Sequence, residues 1–330
     1  MLSWEIEMRR IAIVTSGGDA PGMNAAIRAT TRYGIEQGFE VFGVRHGYKG
    51  LIENDLIPLK ERDVGGILQL GGTVLGTARS EEFKTDVAQH RAISQLEKRG
   101  IEALVVIGGS GSQMGSFELS EKGFPVVGIA STVDNDLYGS DITIGVDTCL
   151  NVILESIDRI KTTAESHSRA FLVEVMGRHF GYLALMAGIA GGVEVIVTPE
   201  FETDPSKVAE ELRSAHERGK KYALILVTDG AKNNAEKIAQ YFKEHRKEFG
   251  YELRVTILGH VQRGGIPTAA DRILATRLGV AAIDLLVKGD SGKLAGIIND
   301  RITYTPFSEV VQNRKQLDVS MWQLAQILAK

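Results

Sequence analysis

Thr132, Asp134 and Asp136 stand in the run Ser131-Thr132-Val133-Asp134-Asn135-Asp136, directly after the apolar stretch Val126-Val127-Gly128-Ile129. The apolar stretch reads as the end of a buried strand, and ligands collect at the carboxyl ends of strands in open α/β sheets. Two carboxylates two residues apart, with a hydroxyl alongside, suit a site that removes a proton. Read as extended backbone, Asp134 and Asp136 would share a face and act on one substrate. In isolation, Asp-Asn-Asp also describes a solvated turn. Its meaning depends on what other chemistry the chain carries.

That chemistry is phosphate chemistry. Arg10–Thr15 reads as a buried strand, followed by Ser16-Gly17-Gly18-Asp19-Ala20-Pro21-Gly22-Met23-Asn24 and a helix to about Gln37. Ala103–Ile107 reads as another, followed by Gly108-Gly109-Ser110-Gly111-Ser112 and a second helix. Glycines let backbone N–H groups approach a phosphate, and the following helix N-terminus favours its charge. Neither loop has the P-loop or dinucleotide pattern, and either alone could be a tight strand-to-helix turn. A third glycine run, Gly71-Gly72-Thr73-Val74-Leu75-Gly76-Thr77-Ala78-Arg79, ends in a cation. Strand-like Phe171–Val175 runs on into Met176-Gly177-Arg178, and Ala223–Val227 delivers Thr228-Asp229-Gly230. Val255–Leu258 leads to Gly259-His260-Val261-Gln262-Arg263-Gly264-Gly265. Glycine cradles, arginines at strand ends (Arg79, Arg178, Arg263) and a carboxylate pair are what phosphoryl transfer requires. No serine or cysteine nucleophile with a base, and no zinc ligand set, is visible.

Apolar runs alternating with helical segments point to mostly parallel sheets covered by helices. Val41–Val44 is a further short strand, and Leu150–Lys161 and Met321–Leu328 have helical character. Asp204 before Pro205 marks a helix start, with the helix running to about Glu217. At 330 residues the chain fits two domains. Its 38 basic and 42 acidic residues leave a formal charge of −4, which argues against nucleic acid as a partner. Cys149 is the only cysteine, which excludes internal disulfides and multi-cysteine metal sites. Tyr182–Val193, the longest uncharged apolar stretch, is too short to cross a bilayer, and Met1–Glu7 does not read as a signal peptide. A cytoplasmic protein without membrane contact is expected.

The blocks Thr15–Asn24, Gly71–Arg79, Thr132–Asp136, Glu174–Arg178 and Gly259–Gly265 resemble, in family order, the signatures of bacterial-type ATP-dependent 6-phosphofructokinases. The resemblance covers essentially the whole chain. It implies two three-layer α/β domains with mostly parallel sheets: a larger donor-binding one from 1–145 plus 259–312, and a smaller sugar-phosphate and effector domain from 146–258 plus 313–330. It implies transfer of the ATP γ-phosphoryl group to the 1-hydroxyl of fructose 6-phosphate, with Mg2+. Asp134 would be the general base, Asp136 would support the metal or the developing charge, and Thr132 and Arg178 would steady the moving group. The sugar phosphate would meet Met176, Gly177, Arg178, Asp229, His260 and Arg263, with Arg169 and Arg254 reaching a neighbouring subunit's sugar. The donor would lie against Gly18, Tyr48, Arg79, Ser80 and Lys84, and against Gly109, Ser110, Gly111, Ser112 and Gly115. Arg28, Arg32, Lys161 and Glu194, with Arg218, Lys220 and Lys221, match a pocket for a nucleotide or phosphoenolpyruvate-like effector in a homotetramer.

Departures qualify this match. Ser110 replaces an aspartate that helps hold the nucleotide's magnesium, so Ser110 is at best a neutral metal ligand. Ser131 matches neither the glycine of ATP users nor the lysine of pyrophosphate users, whereas Gly111 keeps room for a nucleotide. Asp229 replaces a glutamate, Lys84 an arginine and Glu61 an effector-site arginine. Two alternatives stay open on the sequence: the same fold with ADP, another nucleotide or pyrophosphate as donor, and a weakly catalytic phosphosugar-binding regulatory subunit.

Overall fold

The computed structural model describes residues 9–245 and 251–329, so the reading of Met1–Glu7 lies outside them. The chain divides into two compact units. One holds the described residues up to Val133, with Leu137–Asp147 and Arg263–Arg314; the other holds Asp134–Asp136, with those of Thr148–Gln262 and Lys315–Lys330.

The first unit is built on a seven-stranded sheet. Its strands are β1 (Arg10–Ser16), β2 (Glu40–Val44), β3 (Leu56–Leu59), β4 (Ile101–Gly108), β5 (Val126–Ala130), β10 (Lys293–Ile298) and β11 (Arg301–Pro306). Their order is β11-β10-β5-β4-β1-β2-β3. The five central strands run parallel, and the edge strands β3 and β11 pair antiparallel to their neighbours. Strands buried on both faces read as continuous apolar runs, which is why Ile11–Val14 and Leu104–Ile107 are fully buried. Helices α1 (Met23–Glu36) and α9 (Ala269–Val287) pack on each other. So do α2 (Gly47–Glu53) and α3 (Asp86–Lys98), and likewise α4 (Ser110–Glu121) and α10 (Phe307–Gln312). Gly279 permits the first pairing, since a Cβ there would stand 2.9 Å from Ala29 Cβ.

In the second unit β6 (Ala170–Val175), β7 (Val195–Val197), β8 (Ala223–Thr228) and β9 (Leu253–Ile257) form a parallel sheet of order β7-β8-β6-β9. One face carries Ala170 and Leu172, Val195 and Val197, and Ile225 and Val227, the alternation a strand imposes. Against it lie Val208 and Leu212 of α7 (Pro205–Glu217) and Ile238 and Phe242 of α8 (Ala235–Glu244). Each fully buried aliphatic side chain contributes about 1.5–3 kcal/mol. Asp204 is the N-cap of α7 with Pro205 in the first turn, although its carboxylate makes no capping bond. Helices α5 (Val146–His167), α6 (Tyr182–Gly191) and α11 (Val319–Leu328) complete this part of the chain, α11 packing on α6. Among the described residues, no helix is long and apolar enough to cross a membrane.

Candidate active site

The loop 131–136 does not continue extended past β5. Val133 and Asp134 lie in a turn, and Asn135 has φ 55°, in the left-handed region that asparagine tolerates better than most residues. Asp134 and Asp136 therefore do not share one face of a strand, as their spacing suggested. Asp134 is 3% exposed, whereas Asp136 is half-buried. A single deeply placed carboxylate with a second, more accessible one beyond it replaces the symmetrical pair.

Within the second unit, Asp134 Oδ2 lies 3.7 Å from Nε of Arg178, an electrostatic approach longer than a hydrogen bond. Arg178 is held by its own backbone. Its φ of 52° is unusual for a residue with a Cβ, and such a position costs about 1–3 kcal/mol that surrounding contacts must offset. Asp229 Oδ1 accepts from the Arg178 N–H at 2.8 Å, and a Cβ on Gly230 would overlap the Arg178 carbonyl oxygen. The Met176 N–H donates to Gln262 Oε1 at 3.1 Å, while Gln262 Nε2 donates to the Gly259 carbonyl at 2.9 Å. Met176, Gly177, Arg178, Asp229 and the turn carrying the exposed His260 thus form one assembly. Asp229 serves it first by bracing the Arg178 turn. Beneath, Glu174 receives the Ala235 N–H at 3.2 Å; burial pushes its carboxyl up, that bond opposes the shift, and nearby Asp229 adds to it.

Arg169 and Arg254 come together on one carboxylate. Glu252 takes Arg169 Nε at 3.0 Å on one oxygen and Arg254 Nη2 at 2.9 Å on the other. All three are at least partly accessible, so the cluster presents two guanidinium forks at the edge strand β9.

In the first unit the first and third glycine runs are stitched to each other. Buried Asn24 donates to the Leu70 and Gly71 carbonyls (3.0 and 3.1 Å) and accepts from the Val74 N–H at 2.8 Å. Thr15 Oγ1 lies 2.8 Å from Thr73 Oγ1 and donates to the Gly76 carbonyl, while Thr77 Oγ1 donates to the Gly17 carbonyl at 2.8 Å. A Cβ on Gly18 would overlap the Arg263 guanidinium, which donates to the Asp19 carbonyl at 3.0 Å. Arg263, expected at the sugar phosphate, is buried against the first glycine loop. Arg79 is exposed at the end of the third run, and Ser80 Oγ caps the next turn by accepting from the Phe83 N–H at 3.2 Å. Lys84 is an exposed partner of Glu81 at 2.7 Å.

Gly109 is the N-cap of α4, and Ser110 and Gly111 are exposed in its first turn, which carries no acidic residue. The helix end is thus a partial positive charge that no acidic side chain of its own first turn offsets, suited to anionic oxygens. Behind it, Tyr48 is buried, stacks on Phe83 with centroids 4.0 Å apart, and donates to the Ser112 carbonyl at 2.6 Å. Burial pushes its phenol well up, so it stays a neutral donor. Gly115 makes room for that ring, since a Cβ there would stand 2.7 Å from it. Gln113 Nε2 donates to the Gly108 carbonyl at 3.0 Å and to the Val106 and Ile129 carbonyls at 3.3 Å, tying the ends of β4 and β5. The Ser131 hydroxyl is buried without a hydrogen-bond partner among the described residues.

The residues matched to an effector pocket are distributed over both units. Arg28 and Arg32 lie on α1, where Arg32 Nη2 donates to the Glu61 carbonyl at 3.2 Å. In the second unit Lys220 pairs with Glu194 at 3.0 Å, Lys221 with Glu165 at 4.0 Å and Lys161 with Asp158 at 3.0 Å. Arg218 donates to Ser214 Oγ at 2.5 Å. Three of the cations thus sit beside carboxylates.

Among the described residues, no three His, Cys, Asp or Glu side chains gather to hold a metal. Magnesium at phosphoryl-transfer sites is carried mainly by substrate phosphates and water, with one or two carboxylates. Asp136, half-buried in the second unit, fits that sparse role.

The phosphofructokinase family profile matches residues 10–286. The chain belongs to the phosphofructokinase family. It is 51% identical, over 98% of its length and all of the relative's, to ATP-dependent 6-phosphofructokinase 1 of Thermus thermophilus. It is 49% identical, over 98% of its length and 100% of the other, to ATP-dependent 6-phosphofructokinase of Thermotoga neapolitana. Among solved structures it is similar to Pichia pastoris phosphofructokinase in the T-state, with TM-score 0.87 and 37% identity over 97% of this chain and 36% of that one. Pyrophosphate-dependent phosphofructokinase from Marinobacter aquaeolei shares the fold at TM-score 0.85, with 22% identity over 94% of this chain and 86% of that one.

Proposed function

We propose that this chain is an ATP-dependent 6-phosphofructokinase, moving the γ-phosphoryl group of ATP to the 1-hydroxyl of fructose 6-phosphate to give fructose 1,6-bisphosphate and ADP. The observation that carries the reading is the 51% identity to an ATP-dependent enzyme across 98% of this chain and all of the relative's. It favours ATP over other donors, and catalysis over a purely regulatory role.

The named residues have defined tasks in this reading. The carboxylate of Asp134 receives the proton of the sugar 1-hydroxyl as that oxygen forms its bond to the γ-phosphorus and the bond to the ADP oxygen breaks. Arg178 and Thr132 stabilise charge on the moving group, which is where preorganised donors contribute most. Met176, Gly177, Asp229, His260 and Arg263 orient the sugar phosphate. Arg169 and Arg254, presented by Glu252, act on the sugar phosphate of a neighbouring subunit in a homotetramer. Gly18, Tyr48, Arg79, Ser80 and Lys84, with Gly109–Ser112 and Gly115, receive the nucleotide. Mg2+ held by the donor phosphates, Asp136 and the Ser110 hydroxyl would neutralise phosphate charge. Serine in place of aspartate removes a negative charge from the α4 terminus, which strengthens its attraction for the donor while weakening its hold on the metal. The division into a donor-binding and a sugar-binding domain, the effector pocket and a cytoplasmic location belong to the same reading.

Gly111 supplies the test. An ideal Cβ there has nothing within 4 Å, so Gly111→Asp should fold with a Tm within about 2 °C of the parent. A carboxylate at that helix terminus would repel the donor, and ATP turnover should fall by about 10²-fold or more. Undiminished ATP turnover would remove Gly111 and the α4 terminus from the donor site.

A further inference from the structure

We infer that Thr143 and Asp271 form a strut that positions the catalytic loop, acting through the Thr132 carbonyl and the Gly145 amide. The chain returns to the sheet end after the loop: Ile144 bridges Ser131, and its N–H donates to the Ala130 carbonyl at 3.1 Å. From this return Thr143 Oγ1, fully buried, donates to the Thr132 carbonyl at 2.6 Å. Two residues on, the Gly145 N–H donates at 2.7 Å to Oδ1 of Asp271, a carboxylate only 1% exposed in the first turn of α9. Thr268, the N-cap of α9, donates to Asp147 Oδ2 at 2.6 Å, fastening the same return a second time.

The strut also touches the first glycine loop. Gly145 has φ 105°, and a Cβ there would stand 2.6 Å from Ala20 Cβ and 3.3 Å from Val133 Cγ1. Gly22 has φ 106°, and a Cβ on it would stand 2.7 Å from Ile144 Cγ2 and 3.5 Å from Asp271 Cβ. The segment 143–145 is therefore wedged between the glycine loop, the start of the catalytic loop and the beginning of α9, and Asp271 fixes its position. Thr132 takes its place from that wedge, and Asp134 follows one residue after Val133. Displacing reacting groups by about 1 Å can cost about 10²-fold in rate. Neither Thr143 nor Asp271 need touch substrate for this; they act through Thr132 and the loop.

The inference rests on Thr132 and Asp134 belonging to the reacting groups, which Asp134→Asn tests by itself because it leaves the strut intact. Thr143→Val keeps the shape and removes the hydroxyl. In the full chain kcat should fall about 10²-fold while KM for fructose 6-phosphate and ATP stays within about threefold. Thr143→Ser, which restores the donor, should return kcat to within about threefold of the parent. Should Thr143→Val fail to fold, Asp271→Ala carries the decision, with the same loss expected and with Asp271→Asn, which keeps an acceptor for Gly145, losing less. Unchanged kcat in the deciding variant, a loss that serine or asparagine does not relieve, or a rise in KM in step with the fall in kcat would overturn the strut.

Discussion

Asp134→Asn is expected to lower kcat by about 10²–10⁴-fold, the contribution of a positioned general base, with KM for fructose 6-phosphate nearly unchanged. Asparagine fills the same volume, so the turn that places residue 134 next to Arg178 survives. What disappears is the ability to accept a proton, together with the charge facing Arg178. Removing only a transition-state role lowers kcat and kcat/KM equally. Steady-state kinetics with thermal melts decide the matter. Parent-like kcat in a folded variant would take the proton-transfer role away from Asp134.

Gly230→Ala should disable the same assembly from the other side. The added methyl would overlap the Arg178 carbonyl, a backbone atom already fixed by the Asp229 bond to the Arg178 N–H, so the left-handed turn must move. Overpacking of this kind costs about 1–3 kcal/mol of stability. The displaced guanidinium should lower kcat/KM by about 10²-fold. Denaturant unfolding and kinetics on the same sample check both halves. Parent-like kcat/KM would mean that the position of Arg178 is not critical.

The central architecture was legible because buried parallel strands announce themselves. Arg10–Thr15, Ala103–Ile107, Val126–Ile129, Phe171–Val175 and Ala223–Val227 are apolar throughout or nearly so, and each is a strand. β3 and β7 were hidden by their brevity, four and three residues, with Pro58 in the former. β10 and β11 lack the strand–glycine loop–helix succession that flagged the others, β10 passing straight into β11, with which it pairs antiparallel at a sheet edge. At the site, residue types survived better than geometry. The extended reading of Thr132–Asp136 failed because Asn135 turns left-handed, which the letters Asp-Asn-Asp allow but do not require. Gln262, Asn24, Gln113 and Glu252 were missed as functional supports, since a buried amide or counter-ion matters only once its neighbours are known. Gln262 and Asn24 did lie inside the glycine-flanked blocks, and that position was the available signal.

A donor panel decides the proposed function. Purified protein would receive fructose 6-phosphate and Mg2+ with ATP, ADP, GTP or pyrophosphate, with Asp134→Ala as the blank and fructose 1,6-bisphosphate measured as product. The proposed function requires the highest kcat/KM with ATP, despite serine at position 110. Product formed chiefly from pyrophosphate or ADP, or none from any donor while fructose 6-phosphate still binds, would contradict it.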